Sequence, residues 1–177
     1  MNLPNKLSVA RALCIPVIVV LLYLSDPGCR IAAGILFILA CLTDFLDGRI
    51  ARKHNLVTDF GKFIDPVADK LLVLTTLIML VHLRLMEAWI VIIILCRELS
   101  VDGLRMVAVT RGKVIAAGPL GKWKTACQMV LISLMLIFNY SVFQVWPVTA
   151  LAAVVVALTL ISGVDYFVRN ASVLSAD

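Results

Sequence analysis

Four aspartates fall in two pairs whose spacing suits the binding of metal ions. Asp44 and Asp47 are three residues apart, and Asp65 and Asp69 are four residues apart. On an α-helix each spacing brings both carboxylates to one face. Four carboxylates from two neighbouring helices would repel one another unless cations neutralise them, and such hard oxygen ligands suit Mg²⁺, Mn²⁺ or Ca²⁺. The pattern therefore predicts a site for two divalent ions, an arrangement that assists phosphoryl displacement.

The alternative interpretation of these carboxylates is a set of interhelical salt bridges. The same segment contains basic residues that could pair with them, namely Arg49, Arg52, Lys62 and Lys70. All four acids fall at one depth of their hydrophobic segments, and charge at that depth is tolerated only when it faces a partner or a water-filled cavity. We therefore expect a shared metal site rather than separate ion pairs.

A second charged cluster contains more basic than acidic groups. Its acids are Glu98 and Asp102, and its basic residues include Arg97, Arg105, Arg111, Lys122 and Lys124. The surplus of positive charge predicts that an anion such as a phosphate group binds there. Two alternatives remain. Glu98 and Asp102 could serve only to hold Arg105, and the lysines could be the basic flank that membrane helices carry on their cytoplasmic side.

The composition predicts the kind of protein in which these clusters lie. Hydrophobic residues make up 62% of the 177 residues and charged residues 15%, and the mean hydropathy is +1.05. These values exclude a disordered chain, a disulfide scaffold and most soluble enzymes, and they predict an integral membrane protein. The net charge of +5 suits a protein that faces anionic lipid headgroups, and we expect no nucleic-acid partner.

Six hydrophobic stretches account for most of the chain and are separated by breaks, most of them containing glycine or proline. They are Leu7–Leu24, Ile31–Lys53, Lys62–Leu83, Met86–Val109, Leu120–Asn139 and Trp146–Val168. About 20 apolar residues cross a bilayer as a helix, so the pattern predicts an all-α bundle of six transmembrane helices. We expect residues 1–177 to form one domain, with the first stretch retained rather than cleaved as a signal peptide.

The placement of lysine and arginine predicts the orientation of this bundle. With the N-terminus in the cytoplasm, most basic residues fall at cytoplasmic helix ends, and only Arg30 and Arg84 fall in outer turns. This bias predicts a multi-pass protein of the cell (cytoplasmic) membrane with both termini in the cytoplasm. The uncharged run Ile31–Thr43 spans only about 20 Å of a hydrocarbon core of about 30 Å. The charged remainder of such helices predicts a polar cavity that opens to the cytoplasm.

One 26-residue segment contains all four aspartates and matches a family signature. From Asp44 it reads DFLDGRIARKHNLVTDFGKFIDPVAD. It resembles the signature of the CDP-alcohol phosphotransferases, D-x2-D-G-x2-A-R-x8-G-x3-D-x3-D, at every fixed position. The matching positions are Asp44, Asp47, Gly48, Ala51, Arg52, Gly61, Asp65 and Asp69.

The resemblance implies an enzyme that transfers a phosphatidyl or similar group from a CDP-linked donor to an alcohol and releases CMP. It implies that Mg²⁺ or Mn²⁺ ions bind to Asp44, Asp47 and Asp65, and that Asp69 is a ligand, the general base, or both. It implies that the CDP part of the donor contacts Gly48, Ala51, Arg52 and Gly61. It also suggests a homodimer.

Shorter motifs resemble one branch of this family, the bacterial phosphatidylglycerophosphate synthases. They are NLPN near the start, DPVADK, CRE at 96–98, GLR at 103–105 and GKWKT at 121–125. The resemblance implies transfer from CDP-diacylglycerol to sn-glycerol 3-phosphate, in the synthesis of phosphatidylglycerol and cardiolipin. The second cluster would then bind the acceptor phosphate, through Arg105, Lys122 and Lys124 with Arg97 and Arg111. A phosphatidylinositol phosphate synthase, or another member of the family, is the alternative.

A protein of another class, a cation transporter that uses the four aspartates as its path, is the remaining alternative. Carboxylates within membrane helices are common in transporters. A transport path would also need polar residues in the outer half of the bundle, where the second and third stretches are apolar. Transporters are often built from internal repeats, and the sequence shows none. We therefore expect an enzyme.

Overall fold

Six α-helices make up the described chain, in close agreement with the six predicted stretches. A computed structural model describes residues 3–24, 26–53, 59–112, 115–116 and 118–171, with side chains left out for residues 3–6 and 44–64. The helices are α1 Leu3–Tyr23, α2 Pro27–Lys53, α3 Asp59–His82, α4 Ala88–Thr110, α5 Pro119–Phe138 and α6 Trp146–Arg169. These residues contain no β-strand, so the all-α prediction is confirmed for this part of the chain.

The start of α2 and the end of α5 are determined by local sequence. Asp26 precedes α2, and its carboxylate accepts hydrogen bonds from the backbone N–H groups of Gly28 at 2.8 Å and Cys29 at 3.2 Å. Pro27 occupies the first helical position, where its missing N–H costs nothing. Asn139 follows α5 with a φ of 56°, the left-handed conformation that commonly ends a helix. Both breaks in hydropathy therefore correspond to recognised stop and start signals.

The chain divides into two compact units. The first comprises the chain up to Leu85 together with Ile132–Tyr140, and the second comprises Met86–Leu131 together with the chain from Ser141 onward. The prediction of one domain over residues 1–177 stays a prediction.

In the first unit, α1 packs against both α2 and α3, and α2 contacts α3. Ile18 and Leu22 of α1 are each 1% exposed, and they share a helix face with Ser8 and Arg11 near the start of the same helix. Ser8 and Arg11 are also buried. The buried face of α1 therefore changes from apolar to polar towards its N-terminal end, beside the helices that carry the four aspartates.

In the second unit, α4 packs against α6. The core at the start of α4 contains Ile90 and Ile94, and at the other end of the helix Val101, Leu104 and Ala108 form a cluster with Tyr166 of α6. An apolar stripe along α4 therefore fixes its contact with α6, although the helix contains four charged residues between positions 97 and 105.

Two helices, α5 and α6, have the length and composition to cross a membrane. Shorter apolar stretches, Leu7–Tyr23 and Pro27–Thr43, occur in α1 and α2. The described part of the chain therefore supports association with a membrane through two possible spans. The bundle of six spans stays a prediction. Charge explains the difference in α4, because Arg97, Glu98, Asp102 and Arg105 interrupt its apolar sequence.

Candidate functional site

The pair Asp65 and Asp69 lies on α3, as the spacing predicts. The hydroxyl of Ser8 donates a hydrogen bond to Oδ1 of Asp65, which ties this carboxylate to α1. Ser8 is 1% exposed, so the donor side of this contact is buried. Pro66 follows directly inside α3 and has no N–H to donate to the carbonyl four residues before it. The pattern of backbone hydrogen bonds in α3 is therefore interrupted beside the same carboxylate.

The remaining residues of the signature belong to helices, but their side chains lie outside the described part of the structure. Asp44, Asp47, Gly48, Ala51 and Arg52 belong to α2, and Gly61 belongs to the first turn of α3. The helical assignment supports the i, i+3 geometry of Asp44 and Asp47. The contacts expected of these six residues with metal or donor stay predictions.

The donor set of the two pairs fits divalent ions by its chemistry. Carboxylate oxygens are the ligands that Mg²⁺ and Mn²⁺ prefer, and Asp65 already has one oxygen oriented by Ser8. Among the described side chains, no group of three or more histidine, cysteine, aspartate or glutamate residues could hold a metal ion. The side chains of Asp44 and Asp47 lie outside the described residues. The proposed site combines them with Asp65 and Asp69.

Three charged residues of the second unit form a buried cluster, which we call the Glu98 triad. Oε1 of Glu98 accepts hydrogen bonds from Nζ of Lys124 at 2.7 Å and from Nη1 of Arg97 at 3.0 Å. Lys124 is 2% exposed although it belongs to the polar start of α5. A buried lysine needs a close carboxylate to offset the loss of its hydration, and Glu98 supplies it. Lys124 is therefore more than a basic flank at the membrane surface.

Two glycines allow neighbouring helices to approach Arg97. A Cβ atom at Gly121 of α5 would lie 3.3 Å from Nη2 of Arg97, and one at Gly163 of α6 would lie 3.2 Å from its Cγ. Both distances are shorter than ordinary van der Waals contact, so larger residues would displace the arginine. The Arg97 side chain thus contacts α5 at its guanidinium and α6 at its aliphatic part, and it is only 14% exposed.

Arg105 is held by an aromatic residue rather than by a carboxylate. Its Nε–H donates a hydrogen bond to the hydroxyl oxygen of Tyr166 at 3.0 Å. Its guanidinium carbon also lies 5.5 Å from the centroid of the same ring, within the range of a cation–π contact. The sequence left open whether Glu98 and Asp102 hold Arg105. Among the described residues Glu98 pairs with Lys124 and Arg97 instead.

The other two predicted phosphate-binding residues are exposed. Lys122 lies near the start of α5. Arg111 caps the end of α4, and its backbone N–H lies 3.1 Å from the carbonyl oxygen of Ala108. The structure therefore brings Arg97 and Lys124 together and places Arg105 on Tyr166, whereas the role of all five basic residues in acceptor binding stays a prediction.

Sequence reasoning missed two hydroxyl groups that contact predicted site residues. Ser8 bonds to Asp65 and Tyr166 bonds to Arg105. Both lie in apolar or weakly patterned sequence, where a single serine or tyrosine carries no signal of its own. Only the packing of α1 on α3 and of α4 on α6 reveals them.

Comparison with known proteins identifies the family. The family model described as CDP-alcohol phosphatidyltransferase matches residues 1–165. The chain belongs to the CDP-alcohol phosphatidyltransferase family. The match covers all four aspartates and the basic residues up to Lys124, so the family resemblance noted in the sequence is confirmed.

Curated members of the CDP-alcohol phosphatidyltransferase family resemble the chain over nearly its full length. A protein of Bacillus subtilis named CDP-diacylglycerol--glycerol-3-phosphate 3-phosphatidyltransferase is 45% identical, over 96% of this chain and 95% of its own. A protein of Rickettsia bellii with the same name is 40% identical, over 94% and 93%. A protein of Mycobacterium tuberculosis named probable phosphatidylglycerophosphate synthase is 39% identical, over 95% and 81%.

These findings confirm the predicted enzyme class. The chain is a CDP-alcohol phosphatidyltransferase rather than a cation transporter. Divalent metal ions are general to the CDP-alcohol phosphatidyltransferase family, which agrees with the carboxylate pairs.

Proposed function

We propose that the protein transfers the phosphatidyl group of CDP-diacylglycerol to sn-glycerol 3-phosphate, giving phosphatidylglycerophosphate and CMP. The observation that carries this proposal is the likeness to proteins of that name, at 40–45% identity over almost the whole chain. The acceptor predicted from the short motifs is the one in those names. Phosphatidylinositol phosphate synthesis, the alternative within the family, has no such support.

In this proposal Asp44, Asp47, Asp65 and Asp69 hold two divalent ions. Such ions, when bound, neutralise the pyrophosphate of the donor and stabilise the charge that develops on CMP. Asp69, if less tightly coordinated than the others, accepts the proton of the attacking hydroxyl. Ser8 orients Asp65 by its hydrogen bond, and Arg52 offers a forked donor to the donor phosphates.

The chemistry proposed is a single displacement by the acceptor. The 1-hydroxyl oxygen of glycerol 3-phosphate attacks the β-phosphorus of CDP-diacylglycerol, the bond to the bridging oxygen breaks, and CMP leaves with that oxygen. No serine, cysteine or histidine of the signature is an evident nucleophile. The hydroxyl of the acceptor must therefore come within bonding distance of the phosphorus, which requires that its own phosphate be anchored.

Basic residues of the second unit supply that anchor. Arg105 is the best candidate, because among the described residues it makes no ion pair and uses only Nε for its hydrogen bond. Its two terminal nitrogens can form paired hydrogen bonds with a phosphate. Lys122 and Arg111 are exposed and can contribute long-range attraction. Arg97 and Lys124 both pair with Glu98, and in this proposal they add positive charge to the acceptor site.

The proposal places the enzyme in the cell membrane as a bundle of six spans, with a polar cavity open to the cytoplasm. The two apolar helices α5 and α6 support membrane insertion. Exposed aromatic residues lie near the helix ends assigned to the outer face, among them Tyr23, Trp89, Tyr140 and Trp146. Aromatic side chains favour this interfacial depth. A homodimer is also part of the proposal, on the family resemblance alone.

The decisive experiment is an acceptor screen with the purified protein. CDP-diacylglycerol and Mg²⁺ or Mn²⁺ are supplied with glycerol 3-phosphate, inositol 3-phosphate or glycerol, and released CMP is measured. We expect CMP only with glycerol 3-phosphate, and none after a chelator is added. Release only with inositol 3-phosphate would contradict the acceptor, and no release with any alcohol would contradict the proposed reaction.

A further inference from the structure

We propose that Tyr166 is a positioning residue that makes the enzyme selective for a phosphorylated acceptor, by holding Arg105 in the orientation that binds the phosphate. This inference rests on the proposed function, because it assumes that Arg105 meets the phosphate of glycerol 3-phosphate. It concerns a residue outside the signature, on the last helix of the chain.

Two contacts fix the plane of the Arg105 guanidinium. The hydrogen bond from Nε to the hydroxyl oxygen of Tyr166 is 3.0 Å long, which is good geometry for this kind of bond. The guanidinium carbon lies 5.5 Å from the ring centroid. A long side chain such as arginine loses considerable rotamer freedom when it binds a ligand. Because Tyr166 restrains the side chain beforehand, less freedom remains to be lost when the acceptor binds.

The arrangement leaves the binding end of Arg105 available. Within the described part of the chain, neither terminal nitrogen of its guanidinium has a hydrogen bond or a carboxylate partner. Nε and the two terminal nitrogens together form a rigid fork, and phosphate oxygens match the spacing of its donors. Tyr166 engages the inner nitrogen through an uncharged oxygen. It therefore orients the fork without neutralising the positive charge that a phosphate needs.

Tyr166 is itself held in place by the core of the second unit. It is 5% exposed and packs in one cluster with Val101, Leu104 and Ala108 of α4. These residues flank Arg105 on the same helix. The tyrosine and the arginine are thus fixed relative to one another by the contact of α4 with α6, so the hydroxyl is a stable reference for the guanidinium.

The Glu98 triad gives the contrast that identifies Arg105. Arg97 and Lys124 lie at close range to a carboxylate, which partly cancels their attraction for an added anion. Arg105 bonds to the uncharged hydroxyl of Tyr166 instead, so its positive charge is available to an anionic ligand. Arg97 is therefore engaged in an ion pair, whereas Arg105 is supported by an aromatic ring.

The test replaces Tyr166 with phenylalanine, which keeps the ring and removes the hydroxyl. We expect the KM for glycerol 3-phosphate to rise about tenfold, because a hydrogen bond to a charged group is lost. The KM for CDP-diacylglycerol should stay within about twofold. The matched control is Thr159→Val on the same helix, since the buried Thr159 hydroxyl bonds only to the carbonyl of Val155 among the described residues. Its two KM values should not change.

A double-mutant cycle separates positioning from a general effect on structure. If Tyr166 acts through Arg105, the double variant Tyr166→Phe with Arg105→Ala should have the same KM for glycerol 3-phosphate as Arg105→Ala alone. Additive effects, or equal rises in both KM values of Tyr166→Phe, would overturn the inference. A wild-type protein that releases no CMP with glycerol 3-phosphate would instead overturn the proposed function, so the two failures are distinguishable.

Discussion

At the scale of single residues, the hydroxyl of Ser8 is the contact that bears most directly on the proposed metal site. It donates to Asp65 across 57 positions of sequence. Groups that orient a metal ligand typically change metal affinity or activity about 10–100-fold when they are removed. The bond also satisfies a buried hydroxyl, since Ser8 is 1% exposed. Ser8 therefore links the packing of α1 on α3 to the orientation of the Asp65 carboxylate.

We predict that Ser8→Ala weakens Mn²⁺ binding about tenfold or more, because Asp65 loses the donor that orients it. Mn²⁺ titration followed by electron paramagnetic resonance measures this without turnover. Ser8→Thr keeps the hydroxyl and should bind Mn²⁺ as the wild type does. The buried Ser162 of α6, whose hydroxyl bonds to the carbonyl of Thr159, offers the control Ser162→Ala. Equal Mn²⁺ affinity of Ser8→Ala and Ser162→Ala would contradict the role of Ser8.

The two hydroxyls also show how far residue-level prediction could go. The aspartate signature was recognisable because one helical turn fixes the spacing within each pair of aspartates. The partners of Asp65 and Arg105 were not recognisable, since Ser8 and Tyr166 are joined to them only by helix packing. The partner of Glu98 was equally open, because several basic residues belong to the same charged cluster. The structure pairs it with Arg97, its neighbour in sequence, and with Lys124 of α5.

At the scale of elements, α2 and the end of α5 approach closely at a glycine. A Cβ atom at Gly34 would lie 3.1 Å from Cβ of Leu136 and 3.2 Å from Cγ1 of Ile137. One turn earlier on α2, Nε of Arg30 donates to the carbonyl oxygen of Leu136 at 3.3 Å. A basic group at this position also favours the negative end of the α5 dipole. Close packing and an arginine cap thus join the same two elements within the first unit.

We predict that Gly34→Val destabilises the protein by about 1–3 kcal/mol, because the new side chain overpacks the contact with α5. Unfolding by denaturant in detergent measures the change in free energy. Gly103 of α4 provides the control, since a Cβ atom there would have nothing within 4 Å. Gly103→Ala should be neutral or slightly stabilising. A valine variant as stable as the wild type would show that α2 and α5 do not depend on this approach.

The elements themselves were the easiest feature to predict. Every helix begins and ends within four residues of a predicted hydrophobic stretch, because glycine, proline and charged residues mark the breaks. Asp26 and Pro27 act as N-cap and first residue of α2, a signal that sequence patterns contain. The packing of α1 against both α2 and α3 could not be predicted from hydropathy. Hydropathy shows how apolar a helix is, but it does not show which helix packs against it.

At the scale of the whole molecule, the distribution of lysine and arginine predicts that the proposed active site faces the cytoplasm. Both the signature and the basic residues of the second cluster fall at helix ends assigned to the cytoplasm. Among the basic residues of the chain, Arg30 and Arg84 are the two that fall on the predicted outer side. The structure gives Arg30 a local duty at the end of α5. Its position in the first turn of α2, at the predicted outer side, is therefore compatible with the positive-inside bias.

Six spans would put both termini on one side of the membrane, and the placement of lysine and arginine predicts that this side is the cytoplasm. We expect a protease-sensitive tag after Asp177 to be cleaved in inverted membrane vesicles and protected in intact spheroplasts. The same tag inserted between α3 and α4, beside Arg84 in the short turn that follows His82, should show the opposite pattern and serves as the control. Cleavage of the C-terminal tag from outside would contradict the predicted cytoplasmic C-terminus.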